Sequence, residues 1–247
     1  MATTALPTSL EECRISKLPS TAYYIPNFIS EEEEQQILEK IQTAPKPRWK
    51  QLTHRRLQTW PSDLVNNKLV EAPLPNWLEE PVISRIRSMA TSEQNDQHLF
   101  DQSPHKRPNH VLINEYPPGV GIMPHKDGAA YWPVVCTVSL GSSLCLGIYK
   151  SKGDGAVAAD PTWRILQEPR SLLITTDSLY TDFLHGISDI EQDEDISSED
   201  IVNWELLGRP QGFQDGVNVR QLRTSLTYRD VLAVSTLGAK LGGLFRR

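Results

Sequence analysis

The sequence predicts a mainly β fold with flanking helices, a jelly roll or a related double-sheet sandwich. Three observations lead there. From His110 onward, short apolar runs of strand length are separated by Gly and Pro turns. The two segments with helical spacing both lie upstream of that series, which places them outside the sheets. Near the C-terminus, Arg223-Thr-Ser-Leu-Thr-Tyr-Arg229 carries polar groups at every second position, the period of an extended strand.

Taken in order, residues 1–22 are polar and interrupted by Pro, and a loose lead-in is expected. Tyr23 to Phe28 reads as a short strand. Ser30 followed by Glu33 forms a capping box, and Glu31 to Glu34 suit the positive end of a helix dipole. A helix from Glu31 to about Thr43 is therefore predicted, with Ile37, Leu38 and Ile41 inward and Pro45 and Pro47 beyond its end. Leu78, Val82, Ile86 and Met89 recur at helical spacing and predict a second helix over 76–90, kinked or shortened by Pro81. Residues 91–109 read as a polar loop. The strands follow as HVLINEY, PPGVGIMPH, VVCTVSLG, CLGIYK, WRILQ, SLLITT and RTSLTYR, with a Gly/Ala-rich loop at 151–160. Residues 23–232 form one expected domain, with an acidic loop insertion at 189–212 and a tail at 233–247.

The chain has 247 residues, 38% hydrophobic and 23% charged, enough for one sizeable core. No apolar run reaches the length of a membrane span, and the N-terminus lacks the pattern of a secretory signal, so a soluble intracellular protein is expected. Cys13, Cys136 and Cys145 show no metal or redox spacing and read as buried thiols in a reducing compartment. A net charge of −6 excludes indiscriminate coating of nucleic acid. That charge is uneven: Lys46, Arg48, Lys50, Arg55 and Arg56 cluster without an acid among them, while Asp189 to Asp200 is strongly acidic and reads as a solvated loop or disordered insert.

The chemistry begins with the C-terminal strand. Arg223, Ser225, Thr227 and Arg229 share one face, two guanidiniums and two hydroxyls suited to a small dicarboxylate. The alternative, an edge strand with solvated charges, accounts for the arginines but not for the hydroxyls between them. Upstream stand His125-Lys-Asp127 and, much later, His185. Two histidines and a carboxylate are the ligand set of a mononuclear non-haem Fe(II) centre with open positions, for which an arginine-bound α-keto dicarboxylate would supply electrons. Alone, the His-x-Asp pair reads as polar surface and His185 as a core histidine satisfied by a carbonyl; the combination with the arginine strand favours the metal. Asn114 and Tyr116 share a strand face with Leu112 and could donate to the same carboxylate. In PKPRWKQLTHRRLQTW, Trp49 and Trp60 alternate with Lys50, Arg55 and Arg56, a mixture suited to stacked bases and phosphates. The same segment equally reads as a solvated loop with both tryptophans turned into the core.

In order along the chain, NEY, HKD, VSLG, LHGI and RTSLTYR resemble the AlkB family of Fe(II)/2-oxoglutarate dioxygenases over roughly residues 20 to 232. APKPRWKQL, RRLQTW, LPNWL, NHVLINEY and GIMPHKDG are most similar to the sixth AlkB-homologue group. The resemblance implies a double-stranded β-helix core, Fe(II) bound by His125, Asp127 and His185, and 2-oxoglutarate held by Asn114, Tyr116, Arg223 and Ser225, with Leu112 beside it and O2 as second co-substrate. It gives Arg223 the distal carboxylate, sets Arg229 near the chelating one, and makes residues 45–60 a nucleotide-recognition lid in which Trp49, Lys50, Arg55, Arg56 and Trp60 meet substrate. The implied activity is oxidative demethylation of alkylated RNA or DNA by a monomer in the cytoplasm and nucleus, without membrane partners. A protein side-chain hydroxylase or demethylase, or a nucleic-acid-binding module with little turnover, are the alternatives. Three departures stand out: Ser225 replaces the family's usual Asn, the His185 to Arg223 separation is long, and Gly128-Ala-Ala follows the His-x-Asp where the bacterial prototype has a further acid.

Overall fold

The computed structural model describes residues 6–19, 21–150 and 157–235. The first five residues of the lead-in, 151–156 of the Gly/Ala-rich loop and 236–247 of the tail lie outside the described residues. Two sheets face each other. The larger has seven strands in the order Ala22–Ile25, Leu172–Thr176, Val134–Leu140, Arg223–Arg229, His110–Tyr116, Arg56–Trp60 and Lys50–Gln51. The smaller has four, in the order Trp163–Gln167, Leu144–Tyr149, Leu184–Ile187 and Ile122–His125. All pairings within these two sheets are antiparallel, as a jelly roll requires.

Strand alternation divides the interior. Val111, Ile113, Val138, Leu226 and Tyr228 leave the outer face of the large sheet and bury against Ile37, Ile41, Leu78 and Ile86 of the helices. Tyr24, Leu173, Ile148, Ile165 and Ile187 fill one end of the space between the sheets. The Arg223–Arg229 strand pairs on both sides, with His110–Tyr116 and with Val134–Leu140, so it is central rather than an edge. Its polar face consequently looks into the protein.

The first helix runs Glu31–Gln42 with its capping box formed: Ser30 Oγ accepts from the Glu33 amide at 3.2 Å, and Glu33 Oε2 accepts from the Ser30 amide at 2.8 Å. The second predicted helix is instead two, Asn76–Glu79 and Val82–Ser88, because Pro81 has no N–H to continue the ladder. Its four spaced apolar residues are all buried as expected.

Elsewhere the structure corrects the loops. The lead-in is docked, with a short 3-10 helix Leu10–Cys13 capped by Ser9 and with Leu10, Ile15 and Leu18 buried. Residues 91–109 contain a hairpin, Ala90–Ser92 against Asn95–His98, whose polar strands lack the alternation that would announce them. The acidic stretch is solvated at six of its seven acids but clamped at the seventh, Asp193. Gln192–Asp193 pairs with Asn218–Val219, and Asp193 is buried in a bidentate ion pair with Arg220, Oδ1 to Nη2 at 2.6 Å and Oδ2 to Nε at 3.0 Å. Ile196 and Ile201 are buried beneath it. All three cysteines are free and buried, which pushes the thiols up, Cys13 to about 11 and Cys145 to about 12. Among the described residues, no helix is long and apolar enough to cross a membrane.

Candidate active site

One cavity between the sheets is lined by His125, Asp127 and His185, by Leu112, Asn114 and Tyr116, and by Arg223, Ser225, Thr227 and Arg229. The sequence scatters these residues over more than a hundred positions; strand pairing gathers them. His125 and His185 are cross-strand partners in the small sheet, their ring centres 4.4 Å apart. Asp127 stands two residues beyond His125, just past the strand end. One ligand atom from each of the three lies within 4.8 Å of the others, a spacing at which a single cation could meet all of them.

Protonation suits the same role. His125 Nδ1 donates to the Met123 carbonyl at 2.8 Å, which leaves Nε2 with its lone pair free. Burial pushes His185 down to about 4, with Asp127 opposing and His125 and Arg229 reinforcing the shift, so its imidazole is neutral at pH 7, the ligating form. Asp127 Oδ1 accepts from Arg229 Nη1 at 3.0 Å, and Tyr131 lies against the other side of that guanidinium, 4.0 Å from Cζ to ring centre. Gly128 has open space around it, whereas at Gly121 a Cβ would come 1.9 Å from the Ile187 carbonyl oxygen. Gly121 thus allows two strands of the small sheet to close on one another.

The opposite end of the cavity is built by register. Tyr116 faces Arg223, Asn114 faces Ser225, and Leu112 faces Thr227 across one ladder, so these pairs share a face. Arg223 is 3% exposed, and its Nη2 donates to Ser139 Oγ at 2.8 Å and to Gln167 Oε1 at 3.0 Å. Both partners are neutral, and among the described residues no carboxylate lies within ion-pair distance. Burial lowers the guanidinium to about 10, still charged at neutral pH. Its Nε and Asn114 Oδ1 are buried without partners. A desolvated cation with free donors is costly unless an anion completes it, so the residues present fit a carboxylate.

Of the five residues assigned to substrate, only Arg55 lines the cavity. Trp49 lies under Arg56, 3.9 Å from Cζ to ring centre, and Arg56 pairs with Glu115. Lys50 pairs with Asp63 at 2.5 Å. Trp60 packs against Arg48 and Trp77 and donates to Gln58 Oε1 at 2.9 Å. Both tryptophans are half-buried against the outer core, so the bland reading of that segment is the one that describes their packing. The segment is also not a loop, since Lys50–Gln51 and Arg56–Trp60 extend the large sheet. Sequence reasoning missed Gln167, Ser139, Tyr131 and Tyr180. Tyr180 donates to the Gly128 carbonyl at 2.8 Å and so ties down the backbone after Asp127. Ser139 falls within the VSLG run but had no role assigned there, and the other three have no motif; their roles come from which strands lie side by side.

A family model for the 2OG-Fe(II) oxygenase superfamily matches residues 21–229. The chain belongs to that superfamily. Within it the AlkB branch is shown by a relative from Danio rerio, "Probable RNA/DNA demethylase ALKBH6", 38% identical over 242 residues that cover 94% of this chain and 95% of that one. A more distant relative from Mus musculus, "tRNA (carboxymethyluridine(34)-5-O)-methyltransferase ALKBH8", is 27% identical over 88% of this chain and 31% of its own length. The solved structure of OsALKBH1 has the same fold, with a TM-score of 0.54 and 14% identity over 87% of this chain and 99% of that one. As a superfamily member the protein is an oxygenase that uses Fe(II), 2-oxoglutarate and O2.

Proposed function

We propose that this oxygenase oxidatively demethylates alkylated nucleic acid, RNA or DNA, with iron held by His125, Asp127 and His185 and 2-oxoglutarate held by Arg223, Ser225, Asn114 and Tyr116 beside Leu112. The observation that carries the reading is Arg223, a buried cation with only neutral partners, in one cavity with a His/Asp/His cluster. Bound iron would bring O2 and 2-oxoglutarate together, so that one oxygen atom of O2 enters the succinate formed as 2-oxoglutarate loses CO2 and the other hydroxylates an N-methyl group, whose hemiaminal releases formaldehyde.

The chain's own work is binding, orientation and exclusion of water. Arg223 anchors the distal carboxylate, and Gln167 with Ser139 fixes its guanidinium plane. Arg229 orients Asp127 through its bond to Oδ1 and supports the carboxylate nearest the metal. Leu146, Ile148, Leu173 and Ile187 make the remaining wall apolar, which strengthens every charge interaction inside. The nucleic-acid assignment is supported by the 38% identical relative, since neither Trp49 nor Trp60 lines the cavity. In this reading residues 23–232 act as one catalytic domain, working as a monomer in the cytoplasm or nucleus.

A formaldehyde-release screen over methylated RNA and DNA oligonucleotides, comparing wild type with Asp127→Ala, tests the proposal. Release with one class of methylated base, absent in the variant, is expected. Turnover of 2-oxoglutarate stimulated by peptides and by no oligonucleotide would move the substrate to protein.

A further inference from the structure

The hairpin formed by Lys50–Gln51 and Arg56–Trp60 contains consecutive arginines with opposite fates. Strand alternation sends Arg56 to the outer side, where it pairs with Glu115 across the ladder and lies on Trp49. Lys50 is also neutralised, by Asp63. Arg55 turns the other way and lines the cavity with Leu57. Its Nε is buried without a partner, and no carboxylate pairs with it among the described residues. One hairpin thus satisfies its other ladder cations and leaves this one for the cavity.

Register says which end of the cavity Arg55 serves. Arg56 faces Glu115 and Leu57 faces Asn114, so Arg55 is level with Tyr116, which on its other side faces Arg223. Arg55, Tyr116 and Arg223 form one row across three neighbouring strands, about 5 Å apart each. The two guanidinium carbons lie 5.8 and 5.7 Å from the Tyr116 ring centre. Arg229, which touches Asp127, lies six residues further along the same strand, toward the metal ligands. Two unneutralised cations around one phenol, with no carboxylate paired to either among the described residues, call for an anion at that end.

We infer that Arg55 is a second co-substrate residue, which shares the distal carboxylate of 2-oxoglutarate with Arg223 and Tyr116 and so joins the hairpin to the co-substrate. This rests on the assignment of Arg223 above and replaces the nucleic-acid role expected for Arg55.

The test is anaerobic titration of the Fe(II) protein with 2-oxoglutarate and with 2-oxobutyrate, which has the same keto-acid head without the distal carboxylate. The readout is the visible charge-transfer band. Arg55→Gln should weaken 2-oxoglutarate about ten-fold, Arg55→Lys by less, and neither should change 2-oxobutyrate affinity. Fe(II) affinity and melting temperature should match wild type, which shows that the variants fold. Arg223→Gln should weaken 2-oxoglutarate more than Arg55→Gln does. Unchanged 2-oxoglutarate affinity in Arg55→Gln, with Arg223→Gln impaired, overturns the inference, and a loss of binding to a methylated single-stranded oligonucleotide in that variant would return Arg55 to the substrate. If Arg223→Gln also binds 2-oxoglutarate normally, the co-substrate assignment itself fails, and this inference with it.

Discussion

Replacing Gln167 by Glu changes one atom type and places a carboxylate oxygen where an amide oxygen now accepts from Arg223 Nη2 at 3.0 Å. Both residues are almost fully buried, Gln167 at 1% and Arg223 at 3% exposure. At that distance, with an effective dielectric constant of about 20, the new attraction is roughly 5 kcal/mol before desolvation of the carboxylate is counted. The free protein therefore keeps its fold, because Glu still accepts from Ser139 Oγ and the formerly unpaired cation gains a partner. An incoming dicarboxylate meets a neutral ion pair in place of a bare guanidinium. A loss of about 3 kcal/mol, on the order of a hundred-fold in Kd, is expected for 2-oxoglutarate. Anaerobic titration of the charge-transfer band measures it, with Fe(II) affinity and melting temperature as controls. A Kd within three-fold of wild type, in a folded variant that binds Fe(II), would show that the uncompensated charge of Arg223 does not hold the co-substrate.

His110 is buried beside Arg229, and burial pushes its imidazole down to about 4, against an unfolded value near 6.5. The unfolded chain takes up this proton first, so its share of stability is complete above pH 6.5 and is lost as pH falls toward 4. That amounts to about 3 kcal/mol, and His110→Gln should flatten the acid limb of a stability–pH profile measured by urea unfolding. Asp193→Ala leaves Arg220 charged and buried, which should cost about 3–5 kcal/mol and expose amides of residues 189–220 to hydrogen exchange. Gly121→Ala drives a methyl into the Ile187 carbonyl; Fe(II) affinity should fall with the melting temperature, since the strands bearing His125 and His185 are the ones forced apart.

What was legible in the sequence is what repeats with a fixed period or closes locally. The capping box at Ser30 and Glu33, and the alternation from Arg223 to Arg229, each need only a few neighbouring residues, and both appear as read. His125, Asp127 and His185 were legible as a set because few ligand combinations suit iron, and the fold gathers them. The lead-in was misread because Leu10, Ile15 and Leu18 dock at irregular spacing. The clamp on the acidic stretch is illegible because the partner of Asp193 lies 27 residues away, beyond the reach of composition. The Trp49 to Trp60 segment was ambiguous because a cation beside an aromatic ring has the same composition whether the ring stacks on a base or, as here, on the protein's own Arg56 and Arg48. Gln167 carried no signal at all, since an amide becomes important only when another strand sets Arg223 beside it.

The central claim is that His125, Asp127 and His185 hold the iron to which 2-oxoglutarate binds, with Arg223 fixing its far end. Anaerobic addition of 2-oxoglutarate to the Fe(II) protein tests it most directly. Wild type should develop the visible charge-transfer band, His125→Ala and His185→Ala should not at any co-substrate concentration, and Arg223→Gln should need far more 2-oxoglutarate to reach it. A band of wild-type intensity and affinity in either histidine variant would contradict the assignment.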